Sequence, residues 1–558
     1  MLCIATVGAQ IGVAQTPSMP ADSAQTATTN SGDLQQLRET IALQEKQIQR
    51  LQQAVEDQQK LLEKELAAAK AASANAASTD AASTAGGNTG VPTASTTNPK
   101  LIPVVNGPAG SPHQKPSTLM STPSPLSVSI GNTTFTPLGF LDATYFFRTT
   151  NVGSGIGTNF LGIPYNNVAA YHLQDSSFSA QNSRLGLRVD SNFLGSKVLG
   201  YFEGDFLFNN DAPTVQITSN SDGFRLRCYF VDVEKNGFEV LAGQDWSMMT
   251  PNRKGISPLP GDIFYTQNMD TNYQLGLVWT RAPQVRFIAH PTENVAFGVA
   301  LENQQQYIGG GSGASTVTLP ANLNSSLSSQ FQSGQSSFGV PGFFPDIQFK
   351  GAYDGHAGDK LEHVEAEAMV MGFKDYVTLT TPPAIHGSHT AVGYAGSINA
   401  NLELVKNLRM VINTYASEGG GRYIFGTVPD VVIRPDGSIS TLKAYSTVDG
   451  FEGQVSKNTV LTAYYGGMYA GKDVVFDTTG TKPGFVGYGY PNSGQVRTGQ
   501  EITFGWIQTL WKNPNYGALS MINQYSYVFK EPWYVATIGG PRQAHTNMIY
   551  IDLRYTLP

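Results

Sequence analysis

The chain has 558 residues, of which only 14% are charged, and its formal net charge is −7. It contains 59 glycines, 28 phenylalanines and 25 tyrosines, while hydrophobic residues make up 40%. Beyond the first few positions no run of 18 apolar residues occurs, which excludes transmembrane helices. The negative charge and the lack of a dense basic patch argue against a nucleic-acid partner. Low charge with many aromatic residues and glycines favours a transmembrane β-barrel.

The N-terminal residues 1–14 are expected to be the second half of a secretory signal. They combine a modest apolar stretch with a small-residue cleavage context at Val13 and Ala14, but they lack a basic region. Two cysteines, Cys3 and Cys228, cannot form a disulfide framework. We interpret Cys228 as a small apolar residue on a strand.

Residues 33–66 carry a heptad repeat and predict an α-helical coiled coil. The a positions are Leu34, Ile41, Ile48, Val55 and Leu62, and the d positions are Leu37, Gln44, Leu51, Gln58 and Glu65. A lone solvated helix is the alternative, but such a helix would have little reason to keep an apolar seam. The repeat alone leaves a dimer and a trimer open.

Residues 67–125 are rich in Ala, Ser, Thr, Gly and Pro and predict a flexible linker. Residues 126–558 then alternate with a period of two, which predicts a barrel of about sixteen antiparallel strands. Eighteen strands remain an alternative if a long connection contains a hairpin. The predicted strands start near Phe135, Ala180, Lys197, Phe224, Phe238, Tyr273, Val295, Phe343, Leu361, Thr390, Leu408, Thr441, Thr459, Arg497, Gly517 and His545.

Short and long connections alternate along this region, as in outer-membrane barrels. The long connections are predicted at 149–178, 209–222, 247–272, 304–341, 375–388, 417–440, 471–496 and 531–544. The first strand would begin on the short-turn side, which is periplasmic, so the coiled coil would lie in the periplasm. The connection 247–272 has three prolines and few glycines, and we expect it to fold into the barrel and constrict it.

Charged residues cluster on the presumed inner face of the N-terminal strands. In FRLRCYF, alternation places Arg225 and Arg227 opposite Leu226, Cys228 and Phe230. The residues expected to line the channel are Arg184, Arg188, Glu203, Asp205, Arg225, Arg227, Arg253, Lys254, Arg281 and Arg286. A neutralised charge ladder is one interpretation, and an electropositive strip that steers anions is another. The two are compatible.

No catalytic motif is present, so the chain is expected not to be an enzyme and to need no cofactor. An outer-membrane barrel lipase is an alternative, but no Ser–His pair can be identified for it. The run HVEAEA places His363, Glu365 and Glu367 on one strand face. A metal site there would need further ligands from elsewhere, and we favour a hydrated inner wall without a metal.

Several stretches match a known family in the expected order: the N-terminal heptad helix, PLGFLDATYFF, NSRLGLRVD, GYFEGDF, FRLRCYFVDVE, VLAGQDWSMMTP, RAPQVRF and the ending DLRYTLP. In these features the chain resembles the DcaP-like trimeric outer-membrane porins. The resemblance implies a sixteen-stranded homotrimer, embedded in outer-membrane lipids, with a periplasmic coiled coil. It also implies passive uptake of small anions such as dicarboxylates, which Arg184, Arg188, Arg225, Arg227 and Arg286 would contact. A structural anchor, whose helix binds peptidoglycan, is an alternative that could coexist with the channel.

Overall fold

The computed structural model describes Gln53 and residues 124–208, 223–311, 313–333, 340–379, 385–479 and 483–558. The predicted signal residues, nearly all of the predicted linker and, apart from Gln53, the predicted coiled coil lie outside the described residues. The positions predicted for the coiled-coil core therefore remain predictions.

Twenty-two strands are present in the described part of the chain. They are β1 (Val128–Ile130), β2 (Thr133–Arg148), β3 (Asp175–Ser179), β4 (Arg184–Phe193), β5 (Ser196–Phe208), β6 (Gly223–Lys235), β7 (Phe238–Trp246), β8 (Arg281–Thr292), β9 (Val295–Glu302), β10 (Asp346–Ala357), β11 (Lys360–Leu379), β12 (Ile385–Val405), β13 (Leu408–Glu418), β14 (Val431–Ile433), β15 (Ile439–Thr441), β16 (Lys443–Ser456), β17 (Thr459–Ala470), β18 (Asp473–Asp477), β19 (Gly484–Tyr488), β20 (Val496–Asn513), β21 (Gly517–Pro532) and β22 (Ala544–Thr556).

Eighteen of these strands form one antiparallel sheet. It closes into a barrel with sixteen strand positions around its wall, as the alternation predicts. Neighbours in the chain pair with each other, and β2 joins the last strand β22 with Phe140 opposite Thr556. On its other side, the first half of β2 pairs with β4 and its last residues pair with β3. The strands β3 and β4 therefore share one position in the wall. Two small hairpins, β14–β15 and β18–β19, stand apart from the barrel sheet.

The connections at one end of the barrel are tight turns. Asn236 and Gly237, between β6 and β7, have φ of 53° and 79°. Both values lie in the left-handed region, as in the type I′ turns that suit the twist of a hairpin. The connections at the other end are mostly long. They contain short helices, namely one α-helical turn at Asn324–Leu327 and 3₁₀ turns at Phe160–Gly162, Ala169–His172 and Gly421–Tyr423. Within the described ranges, no helix has the length and apolarity needed to cross a membrane.

Alternation along the strands separates an apolar exterior from a polar interior. On β2, Leu141 is 52% exposed on the outside, whereas Asp142 and Thr144 are buried inside. On β9, Phe297 and Leu301 are 56% and 41% exposed. A barrel whose exposed belt is apolar and whose interior is polar is the reverse of a soluble β-barrel.

Two predicted boundaries are wrong. The sixth barrel strand begins at Arg281 rather than near Tyr273, because residues 273–280 turn into the barrel instead of joining its wall. The connection predicted at 375–388 is mostly strand, since β11 continues to Leu379 and β12 begins at Ile385. A short stretch of polar–apolar alternation does not distinguish the two cases, because the same pattern occurs in strands and in irregular chain.

Candidate channel interior

Residues 247–280, here called the inner segment, connect β7 to β8 and lie inside the barrel. Most of them are buried, and the others are half-buried. Backbone groups along the segment donate to side chains on well-separated strands: Asn252 N–H to Glu365 at 2.8 Å, Leu275 N–H to Glu501 at 2.8 Å and Val278 N–H to Asn413 at 3.1 Å. Buried backbone groups outside regular structure need such partners. The inward polar residues of the wall therefore fix the course of the inner segment.

An ion pair holds the tip of the inner segment to the wall. The Arg253 guanidinium donates to both carboxylate oxygens of Glu452 on β16, at 2.8 and 2.7 Å. Tyr464 Oη also donates to Glu452, at 2.8 Å. Burial opposes the charge on Arg253, but Glu452 outweighs burial and holds the pKa of Arg253 above its ordinary value. Arg253 is therefore a charged anchor of the inner segment. The next residue, Lys254, is partly buried.

A second anchor is Lys350 on β10. Its Nζ donates to the carbonyl oxygens of Met248 and Thr250 at 3.1 and 3.0 Å, and it lies 3.0 and 2.9 Å from carboxylate oxygens of Glu365 and Glu367. Sequence reasoning missed this lysine, although alternation in DIQFKGAYD would have placed it on the inner face.

The HVEAEA residues belong to this second anchor. His363 lies 2.9 Å from Asp354 and 3.2 Å from Glu365. His363, Glu365 and Glu367 are buried, so this part of the wall is a packed ion network. Among the described residues no group of three or more His, Cys, Asp or Glu side chains is placed to hold a metal ion.

Three predicted channel residues, Arg184, Arg225 and Arg227, meet in one place with two acids. Arg227 donates to Glu203 at 2.7 Å and to Asp205 at 2.8 Å, and Arg225 donates to both oxygens of Asp205 at 3.0 and 2.9 Å. Arg184 lies 3.8 Å from Glu203. This arginine cluster has three guanidinium groups against two carboxylates, so it retains a positive charge.

The expected alternation in FRLRCYF is wrong after Arg227. The register between β5 and β6 shifts there, since Glu203 is opposite Cys228 and Gly204 is opposite Leu226. This β-bulge turns both Arg227 and Cys228 inward. Phe230 also points inward, and Cys228 and Phe230 are only 0% and 5% exposed. The bulge concentrates inward side chains at the level of the arginine cluster.

A row of aromatic rings borders the arginine cluster: Trp246, Tyr265, Tyr273, Trp279 and Phe425. The Trp279 ring stacks on the Phe425 ring with 4.7 Å between their centroids, and the Tyr265 ring stacks on the Tyr273 ring with 5.1 Å between theirs. The Tyr273 hydroxyl accepts a hydrogen bond from Arg227 at 3.2 Å. The sequence does not indicate this aromatic row, because the alternation near Tyr273 predicts a strand and Trp279 belongs to no recognised motif.

Arg281 lies against the aromatic row without a carboxylate partner. Its Cζ atom is 5.3 Å from the Trp246 ring and 5.7 Å from the Trp279 ring, within cation–π distance. Among the described residues it forms no ion pair, and its buried Nη1 has no hydrogen-bond partner. Arg281 therefore adds an uncompensated positive charge beside the arginine cluster.

Two further predicted residues, Arg188 and Arg286, are neutralised elsewhere. Arg188 donates to both oxygens of Asp190 at 2.8 Å. Arg286 lies 3.1 Å from Asp245 and donates to Gln284 at 2.6 Å. The structure thus separates the predicted set into a cluster with excess positive charge and isolated neutral pairs.

A second buried segment, residues 419–433, contacts the inner segment. Its Arg422 forms ion pairs with Asp346 and with Asp430, the latter at 2.9 Å. Burial raises the pKa of Asp430 to about 6, against the opposing effect of Arg422. The Trp279 backbone N–H donates to the Tyr423 carbonyl oxygen at 3.0 Å, which connects the two segments.

Solved structures with a similar fold were found by comparison. The crystal structure of the outer membrane channel DcaP of Acinetobacter baumannii matches over 77% of this chain and 99% of that chain, with 14% identity and a TM-score of 0.54. An anion-selective porin from Comamonas acidovorans matches over 76% and 100%, with 13% identity and a TM-score of 0.41. The trimer form of OmpT from Vibrio cholerae matches over 76% and 99%, with 11% identity and a TM-score of 0.38.

The described chain thus has the fold of the DcaP channel, and the resemblance to DcaP-like porins is confirmed at the level of the fold. No protein-family model matches the chain. No curated protein matches it either.

Proposed function

We propose that this protein is an outer-membrane porin through which small anionic solutes, carboxylates in particular, diffuse passively. One observation carries the proposal: the interior of the barrel concentrates four arginines, Arg184, Arg225, Arg227 and Arg281, against two carboxylates. Ions in a narrow passage respond to the charges beside it much more than to charges on outer loops. The local charge therefore outweighs the formal net charge of −7.

The arrangement suits carboxylate-bearing solutes for two reasons. An arginine can bind a carboxylate through two parallel hydrogen bonds, and Arg281 has no such partner within the described chain. Arg225 is the most accessible member of the cluster, with 36% of its side chain exposed. A dicarboxylate could engage both arginines, while Glu203 and Asp205 hold the buried Arg227 in place.

The inner segment would set the size of the passage, as expected for a constriction loop. This part of the proposal is supported by its burial and by its hydrogen bonds to several strands. The proposed working form is a homotrimer in the bacterial outer membrane, with residues 33–66 as a periplasmic coiled coil. The apolar exposed belt and the likeness to the DcaP channel support the membrane location.

Reversal potentials in planar bilayers under a KCl gradient test this function. The wild-type channel should prefer chloride, and Arg281→Ser should reduce that preference. Arg188→Ser combined with Asp190→Ser is the matched control, because it removes a neutral pair and leaves the net charge of the wall unchanged. A cation-selective wild-type channel would refute the anion preference, and purified protein that forms no conducting channel would refute the porin function itself.

A further inference from the structure

One sector of the barrel exterior departs from the apolar pattern. Thr414 on β13, Thr447 and Asp449 on β16, Tyr465 on β17 and Gln500 on β20 all lie on outward positions of adjacent strands. We call these five residues the exterior polar patch. Thr414 and Tyr465 are exposed, and the other three are half-buried.

The patch is continuous across four strands. In the strand register Thr414 is opposite Thr447, Thr447 is opposite Gly467, and Gly467 is opposite Gln500. Two residues further along β16, on the same face of the sheet, Asp449 is opposite Tyr465. Gly467 leaves a small gap in this row, over which the Tyr465 hydroxyl reaches Gln500 at 3.1 Å.

The patch also lies within the height that lipid would cover. On the outer face of β16, Tyr445, Phe451 and Val455 are 46%, 48% and 61% exposed, and Asp449 is between them. A strand rises about 3.3 Å per residue and tilts by about 40°, so Tyr445 and Val455 are about 25 Å apart along the barrel axis. This equals the height of the apolar band of an outer-membrane barrel.

A carboxylate at this position fits lipid poorly. Asp449 accepts a hydrogen bond from Thr447 at 2.9 Å, but within the described chain it has no ion pair. Hydrocarbon offers no further hydrogen bonds, so charged groups on the lipid face are costly. The wall formed by β8 and β9 shows the pattern suited to lipid, since its outward residues Val285, Phe287, Phe297, Val299 and Leu301 are apolar and exposed.

We infer that the exterior polar patch is where a second copy of this chain packs against the barrel. The inference rests on the proposed homotrimer and assigns its contact surface. In a cyclic trimer each copy presents one surface to the next and a different surface to the previous one. A sector confined to neighbouring strands, with hydroxyl, amide and carboxylate groups around a glycine, matches such a contact. The neighbouring copy would supply the donors that lipid lacks.

Oxygen accessibility of spin labels tests the assignment in the full-length protein. Thr447→Cys and Phe287→Cys are each labelled in a Cys3→Ser, Cys228→Ser background and reconstituted in lipid bilayers. We expect collisions with oxygen, which dissolves in lipid, to be several-fold fewer at position 447 than at position 287. Dissociation of the trimer should raise the oxygen accessibility of the label at position 447 and leave that at position 287 unchanged. Equal accessibility at the two positions in the intact trimer would show that lipid covers the patch and overturn the inference.

A second measurement uses trimer stability. Asp449→Leu should lower the temperature at which the trimer dissociates on semi-native gels, whereas Phe287→Leu should leave it unchanged. If lipid covered the patch, Asp449→Leu would leave the trimer intact. Native mass spectrometry of the wild-type protein separates the two proposals, because a monomeric wild type refutes the homotrimer, whereas an intact trimer that tolerates Asp449→Leu refutes only the contact surface.

Discussion

Arg253 and Glu452 are 199 residues apart in the chain, yet their side chains form two hydrogen bonds inside the barrel, at 2.8 and 2.7 Å. Arg253 belongs to the inner segment and Glu452 to the wall strand β16. This pair makes the position of the inner segment depend on a specific electrostatic contact.

Arg253→Ala should loosen the inner segment and widen the passage, so single-channel conductance should increase. Removing one partner of a buried ion pair costs about 3–5 kcal/mol, because the other charge stays buried without compensation. Thermal unfolding in detergent should therefore occur at a lower temperature. Arg497→Ala is the control, since Arg497 and Glu531 are 41% and 32% exposed and such pairs contribute at most about 1 kcal/mol. Unchanged conductance in Arg253→Ala would contradict the anchoring role.

Glu203→Gln should shift selectivity in the direction opposite to Arg281→Ser. The substitution removes one of the two carboxylates in the arginine cluster and leaves its three guanidinium groups. The reversal potential in a KCl gradient should therefore move further toward the chloride equilibrium potential. An unchanged reversal potential would show that the cluster does not face the ion path.

Asp430 should make stability depend on pH. Its ordinary pKa is 3.8, and in the folded chain it is raised to about 6. Between these values the folded state keeps a proton that the unfolded state has lost, so stability falls as pH rises from about 4 to about 6. Relative to Asp430→Asn, the wild type should lose thermal stability across this window. Asp436→Asn is the control with the opposite sign, because the folded-state pKa of exposed Asp436 is lowered by its hydrogen bonds with Ser438.

Deletion of residues 34–66 should leave the barrel folded but weaken the trimer. The barrel satisfies its backbone hydrogen bonds by closure between β2 and β22 and does not need the helix for this. The deleted protein should retain the gel mobility shift between folded and heat-unfolded forms. Its trimer should dissociate at a lower temperature than the wild type. A barrel that fails to fold without these residues would contradict the prediction.

The sequence predicts the barrel well because its strands leave a local signal. Alternation and turn residues such as Asn236 and Gly237 act over a few positions, and they specify the number of strands and most of their starts. Irregular chain leaves no such signal. The stretch around Tyr273 alternates like a strand, yet it lies inside the barrel. Its alternation is real, but it does not show that the stretch belongs to the wall.

The candidate site was predictable in residue type but not in pairing. Inward arginines follow from alternation, whereas the neutral pair of Arg286 with Asp245 and the partnerless Arg281 depend on which strands become neighbours. The bulge at Arg227 and Cys228 adds one residue to β6 and reverses the faces after it. A single inserted residue of this kind carries no mark in the sequence.

The inner segment also constrains how the molecule is assembled. Asp270, on this segment, accepts hydrogen bonds from Thr158 and from Tyr550 on β22, next to the seam where the last strand meets the first. The hydrogen bond from Tyr550 can form only when β22 has taken its place beside β2. Pairing of the last strand with the first therefore also completes the set of partners that holds Asp270, so closure of the wall and the final shape of the channel interior are coupled.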